Sequence, residues 1–295
     1  MQVLEVLQKL GYNPKEIGAD EFQMLPLYRP SDNSTALVVK KSTGQFYDFV
    51  TKEGGSLSKL VKITLGLPTI DSARDFLGEN FKDFEVKYQS EITTVKKFDK
   101  NILLRLVKDY SYWNGRGISN ETLELFQGGV ANTGKLKDRF VFPIFDNNDL
   151  IGFAGRSIIN DNKRWKLLGS KKNWVYPLFL TKDEIIAKKE AIIIESVGDA
   201  LSLWSAGIKN FLICFGITIF PKMIETLLKL DVRKVIIAFN NDSDGSLAGN
   251  DAAEEERGKL LKFFDSNQVM IALPTENDFG VTNIEKIKEW YARTQ

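Results

Sequence analysis

The chain has 295 residues, 43% of them apolar and 27% charged, with a formal net charge of +1, a profile of a globular protein large enough for two or three domains. It contains no histidine and one cysteine, Cys214, which excludes Cys/His zinc sites, Ser-His-Asp triads, Cys-His dyads and disulfides. No apolar run approaches the roughly 18 residues of a membrane span, and the start MQVLEVLQKLGYNP lacks the basic-then-apolar pattern of a signal peptide, so a cytoplasmic protein with no membrane partner is expected.

Charge is uneven along the chain. Residues 1–90 hold 11 basic against 12 acidic side chains, 91–190 hold 18 against 12, and 191–295 hold 11 against 15. The basic excess is concentrated at 131–180, which includes Lys135, Lys137, Arg139, Arg156, Lys163, Arg164 and Lys166. Such residues bind phosphates with little regard to base sequence, and Trp165 among them is placed to stack on a base. Each lysine taken alone reads more readily as solvated surface, and Trp165 equally as packing. Arg156 is read on a short turn after GFAG, where small neighbours let a phosphate approach the backbone.

The C-terminal third alternates in period. AIIIES, NFLICFG, VRKVIIAFNND and QVMIALP read as strands, while DALSLWSAG, FPKMIETLLKL, NDAAEEERGKLLKFFD and NIEKIKEWYART read as helices. Apolar runs alternating with amphipathic segments predict βαβ units, hence an α/β domain with a mostly parallel sheet and flanking helices. Cys214, inside the second run, is expected to be a small core residue.

Ligands of such sheets bind at the carboxyl ends of the strands, where the acidic residues fall. Glu195 ends the first strand, NNDSDG (240–245) ends the third, and Asp278 follows the fourth. A carboxylate at the end of a buried strand is costly unless it is paired or holds a metal. Taken singly, Asp199 is more readily a helix cap and Asp244-Gly245 a turn. Taken together, the loops suit one hard cation that keeps its waters and shares substrate phosphates.

Glu-x-x-x-Asp at one strand end, followed by an Asp-x-Asp-like turn before AGNDAAEEE, resembles the TOPRIM domain of primases, topoisomerases and some nucleases. YWNGRGISNETLELFQGGV, DRFVFPIFDNNDLIGFAGRSI and RWKLLGS are similar in order and content to the polymerase core of DnaG-type bacterial and phage primases, the primase subunit of T4-like phages included. The N-terminal stretch LPLYRPSDNSTALVVKKSTGQFYDFVTKEGGSLSKLVKITLG resembles the zinc-ribbon of those primases. Its ligand positions hold residues such as Leu25, Tyr28 and Asp48, so the resemblance implies a hairpin ALVVKK/QFYDFV and a helix SLSKLVKITLG without the metal. Two further departures are Ser196, where the family has a glycine, and Asn240, where it has the first aspartate of the second motif.

The resemblance implies a degenerate zinc-ribbon-like domain at 1–90, a mixed α+β basic subdomain at 91–187 and a TOPRIM catalytic subdomain with a C-terminal helix at 188–295. It implies a DNA primase that makes short RNA primers from ribonucleoside triphosphates on single-stranded DNA by nucleotidyl transfer. The cofactor is magnesium, or manganese in its place, with no zinc expected. Glu195, Asp199 and Asp242 are the implied catalytic residues, and Glu195, Asp242, Asp244 and Asn240 the implied metal ligands. Many such primases continue beyond the TOPRIM region into a helicase-binding domain, so a separate replicative helicase is the expected partner. The setting is the cytoplasm, the host's if the gene is a phage's. The alternatives are a TOPRIM nuclease and a catalytically inactive single-strand-binding adaptor of the replication machinery.

Overall fold

In the computed structural model, residues 2–81, 95–159, 163–241 and 248–295 are described. The chain forms two compact units, one from residues 1–92 with 255–270 and the other from 93–254 with 271–295.

The first unit begins with α1 (Gln2–Lys9) and continues through β1 (Lys15–Ile17), β2 (Glu21–Met24), β3 (Leu37–Lys40), β4 (Phe46–Asp48) and β5 (Gly54–Gly55). These five strands pair in chain order as an antiparallel sheet, and the expected hairpin is β3/β4, with Val38 opposite Tyr47. Helices α2 (Leu57–Leu65) and α3 (Ile70–Asn80) follow. Ser56 caps α2 by accepting from Lys59 N, and Gly66 ends it at φ 64°, a left-handed conformation that glycine adopts without penalty. Alternation in β2 and β3 sends Phe22, Met24, Leu37 and Val39 into one core with Val6, Leu7, Leu60, Val61 and Leu77. Residues 255–270 complete this unit. Ser56 N donates to Lys262 O at 3.0 Å, and a side chain at Gly55 would meet that same carbonyl at 2.6 Å, so only glycine allows the approach.

The second unit starts with α4 (Ser111–Asn114) and α5 (Asn120–Leu125). An antiparallel sheet follows in chain order: β6 (Gly129–Ala131), β7 (Arg139–Asp146), β8 (Asp149–Ser157) and β9 (Trp165–Gly169). Arg156 lies inside β8, opposite Trp165 of β9, and not on a turn as its glycine-rich approach suggested. The run GFAG is strand because its small residues give room to neighbours: a Cβ at Gly152 would come within 2.3 Å of the Trp174 ring.

After α6 (Leu178–Lys188), the expected alternation follows as β10 (Glu190–Ile194), α7 (Val197–Ser205), β11 (Phe211–Ile213), α8 (Pro221–Lys229), β12 (Lys234–Ile237), α9 (Ala248–Leu260), β13 (Val269–Ile271) and α10 (Ile284–Arg293). The sheet order is β11-β10-β12-β13, with β10 parallel to both β11 and β12. All five residues of β10 are buried, as a central parallel strand requires. Ile192, Ile194, Leu201, Phe211 and Ile213 share one apolar core with Phe140, Phe142 and Trp113, so the antiparallel sheet and the parallel sheet are packed together. Cys214 is buried, as expected. Among the described residues no helix is long and apolar enough to cross a membrane.

Candidate functional site

The acidic turn sits at the carboxyl end of β10. Ser196, where the family that the sequence resembles has a glycine, has φ −133° and ψ 162°, an extended conformation that accommodates any side chain. It is the N-cap of α7, and Asp199 closes a capping box: Ser196 Oγ accepts from Asp199 N at 3.3 Å, while Asp199 Oδ2 accepts from Ser196 N at 3.0 Å and from Ser196 Oγ at 2.7 Å. Asp199 therefore is the cap component that its spacing allowed, but it does more. Its second oxygen accepts from Phe279 N at 3.1 Å, tying the loop after β13 to the start of α7.

Asp199 is 2% exposed. Burial, followed by the charges of Asp278 and Glu195, pushes its carboxyl up to about 7, against the hydrogen bonds from Ser196 that favour the charged form. Asp278 holds its own loop, accepting from Val281 N at 3.0 Å. Glu195 Oε1 accepts from Asn240 N at 2.8 Å, which joins the ends of β10 and β12. The observed contact of Asn240 with Glu195 is thus through the main chain. Asn241 continues the seam, its N–H donating to Asn277 O at 2.8 Å.

Glu195, Asp199 and Asp278 present only oxygen donors, which fits a hard divalent cation, and the raised Asp199 reflects its burial first and the neighbouring carboxylate charges second. Among the described residues no group of three or more acidic or cysteine side chains converges closely enough to hold a metal alone. Asp242 and Asp244 lie outside the described residues.

The basic residues divide in two. Lys135, Lys137, Arg164 and Lys166 are exposed on the antiparallel-sheet side of this unit, whereas Arg139 is 6% exposed. The Arg139 guanidinium donates to the carbonyls of Lys163 at 2.9 Å, Arg164 at 3.3 Å and Gly155 at 3.4 Å. Its observed work is to hold the β8–β9 connection, where a phosphate contact was expected. Arg156 lies over the Trp165 ring, 5.5 Å from its centroid, and donates from Nε to Tyr112 Oη at 2.9 Å. Trp165 packs partly on the core.

Sequence reasoning missed Tyr112 and Arg116. Arg116 lies 3.9 Å from the Tyr112 ring centroid, and also lines a cavity of about 390 Å³ with Ser202, Ser205, Thr282 and Asn283. The available signal was their spacing of four around the short helix α4, which puts a ring and a guanidinium on one side.

In the first unit, two of the positions named for lost zinc ligands meet at a hydrogen-bonded knot. Asp48, fully buried, accepts from Tyr28 Oη at 2.7 Å and from Arg29 through Nε at 2.8 Å and Nη2 at 2.9 Å, a two-pronged ion pair. Val50 N and Thr51 N also donate to it, at 2.9 and 3.2 Å. Arg29, more than any other partner, holds the Asp48 carboxyl far below the usual carboxylate range.

A Toprim-like family model matches residues 192–280. The chain is 25% identical to a DNA primase of Campylobacter jejuni over 275 residues, covering 76% of this chain and 45% of that protein. It is 27% identical to a DNA primase of Helicobacter pylori strain J99 over 348 residues, covering 99% and 60%. The chain carries a Toprim-like domain and is similar to DNA primases. The Toprim match spans the acidic turn, the β12 end and Asp278, the edge described above. The fold agrees. The Aquifex aeolicus primase comprising zinc-binding and RNA polymerase domains superposes with a TM-score of 0.51 at 21% identity, over 100% of this chain and 81% of that one. A DnaG primase catalytic domain bound to single-stranded DNA gives 0.55 at 19% identity, over 66% and 75%. The chain spans about half the length of the curated relatives it matches.

Proposed function

We propose that the protein is a DNA primase, a nucleotidyltransferase that joins ribonucleotides into a short RNA primer on a single-stranded DNA template. The observation that carries this reading is the pairing, in one unit, of a Toprim-type acidic edge with a basic antiparallel sheet packed on the same core. The similarity to DNA primases, which extends over 99% of the chain in one relative, supports it.

Primer synthesis needs a 3′-hydroxyl aligned on an α-phosphate and the developing charge neutralised, with pyrophosphate leaving. Glu195 and Asp242, with Asp244 or Asn240 completing the set, would hold magnesium or manganese, whose chemistry is to neutralise the triphosphate. Glu195, fixed by Asn240 N, holds its carboxylate at the strand end, where it serves as a ligand or accepts the hydroxyl proton. Asp199 keeps the turn in place through its capping box and its bond from Phe279 N. Arg156, Lys166 and the exposed Lys135, Lys137 and Arg164 take phosphates of template or nucleotide, with Trp165 as a stacking surface.

On this reading the basic subdomain and the Toprim subdomain divide near residue 187. The N-terminal 90 residues keep a zinc-ribbon-like shape without zinc, and the Asp48 knot supports that. A separate replicative helicase is the partner, in the cytoplasm. Incubating the full chain with template, the four ribonucleotides and magnesium tests the reading. Short RNA is expected. Cleaved DNA would make it a nuclease, and bound but unchanged template an adaptor; either result overturns it.

A further inference from the structure

Arg116, Tyr112, Arg156 and Trp165 alternate guanidinium and ring, and Tyr112 is the member shared by both cations. Arg116 lies over its ring at 3.9 Å and donates from Nη1 to its carbonyl at 3.0 Å. Its hydroxyl accepts from Arg156 Nε at 2.9 Å, and Arg156 in turn lies over Trp165. The Tyr112 ring meets the buried Trp113 edge-on, with centroids 5.2 Å apart. A Cβ at Gly198 would stand 4.0 Å from that Trp113 ring. Trp113, which shares a core with Val197, therefore sets the series beside the first turn of α7, the turn that carries Asp199.

This arrangement leaves the guanidinium edges open. Among the described residues, neither terminal Nη of Arg156 has a hydrogen-bond partner, nor do Nε and Nη2 of Arg116. A long cationic side chain loses rotamer entropy when it grips a ligand, and one already held by a ring and a hydroxyl loses less. Two cations gathered on one tyrosine also repel each other, a repulsion that a bound anion relieves.

We propose that Tyr112 is a positioning residue that holds Arg116 and Arg156 so that their open edges take phosphate groups, from either a nucleic-acid strand or a nucleoside triphosphate. The proposal rests on the primase reading for the identity of the anion only.

The test is a double-mutant cycle on the full chain, with binding of a labelled oligo-dT across a salt series and, separately, of ATP with magnesium. Tyr112→Phe keeps the ring under Arg116 and removes the hydroxyl. It should weaken binding of the anion that uses the site by about threefold to tenfold, the effect of one lost charge-assisted hydrogen bond, with an unchanged melting temperature. Arg156→Ala should weaken it further and lower the salt slope by about one. The double variant should bind no more weakly than Arg156→Ala alone. Loss for oligo-dT but not ATP assigns the site to a strand, and the reverse assigns it to a triphosphate. Wild-type affinity of Tyr112→Phe for both anions, fully additive losses, or a wild type that binds neither anion overturns the proposal. Coupled binding in a protein that makes no primers would remove the primase reading and leave the role of Tyr112 standing; primer synthesis with no coupling would do the opposite.

Discussion

Asp48 in the first unit and Asp199 in the second are both nearly inaccessible to water, and burial pushes both carboxyls up, yet their partners leave them on opposite sides of the ordinary value. Asp48 faces a guanidinium, a phenol and two main-chain N–H groups, so its charge is more stable inside than in water. Asp199 receives three hydrogen bonds to its carboxylate, but burial, joined by the charges of Asp278 and Glu195, outweighs them and raises it to about 7. A satisfied buried carboxylate binds loops together. One crowded by other carboxylates marks a place where positive charge is useful.

The largest effect expected from this contrast is on chemistry at the crowded edge. Glu195→Gln keeps an acceptor for Asn240 N and removes a charge; primer synthesis should fall on the order of 100-fold or more, as when a group stabilising transition-state charge is lost, while oligo-dT binding holds. Asp242→Asn should match it, and equal activity of either variant to wild type in a primer assay would move the cation elsewhere. Asp244→Asn is the companion, with a comparable loss making it a ligand and near-normal activity a turn residue.

The satisfied carboxylate should matter for folding instead. Asp48→Ala leaves Arg29 and two N–H groups without their acceptor and should destabilise the first unit by about 3 kcal/mol, the cost of breaking a buried ion pair. Urea unfolding followed by Tyr and Trp fluorescence, with proteolysis mapped to residues 25–51, measures this. Treatment of the wild type with a zinc chelator should leave the same curve unmoved. A chelator-sensitive transition would mean that a metal, and not Asp48, ties these loops.

Dependence on pH should separate the two sites by sign. Asp48 is held below its unfolded value, so its contribution is present above about pH 4 and is lost as pH falls further. Asp199 is raised to about 7, so its contribution is present below about pH 4 and is lost as pH rises through about 7. Without divalent cations, the melting temperature should therefore decline by a few degrees between pH 4 and 7, and Asp199→Asn should flatten that decline. The smallest effect is that of magnesium itself, which should raise the melting temperature more at pH 8 than at pH 5, because the charged form of Asp199 beside Glu195 favours a nearby cation and its protonated form does not. Equal shifts at both pH values would disconnect Asp199 from the cation.

The α/β alternation from residue 190 onward was legible because buried parallel strands and amphipathic helices leave different periods in a sequence, and β10 to α10 follow them element by element. Glu195 was legible for a related reason: three isoleucines before a carboxylate have no other simple reading. Arg139 and Arg156 were not separable, since both are arginines in a basic run. Only strand pairing turns one inward onto the carbonyls of Lys163 and Arg164 and the other toward Tyr112 and Trp165.

By itself the sequence narrowed the class of chemistry, because a chain without histidine and with one cysteine leaves any catalysis to carboxylates, lysines, arginines, hydroxyls, main-chain groups or a metal held by oxygen. It also determined the layered fold, since periodicity is a local property that each segment carries alone. Tertiary structure alone decided which charges are answered. Asp48 and Asp199 look alike as letters, and what separates them is that burial is answered at Asp48 by Arg29, 19 positions away, whereas at Asp199 it is left to prevail, with Asp278, 79 positions away, adding to it. Electrostatic energy depends on distances across the folded chain and on exclusion of water, neither of which a linear pattern contains.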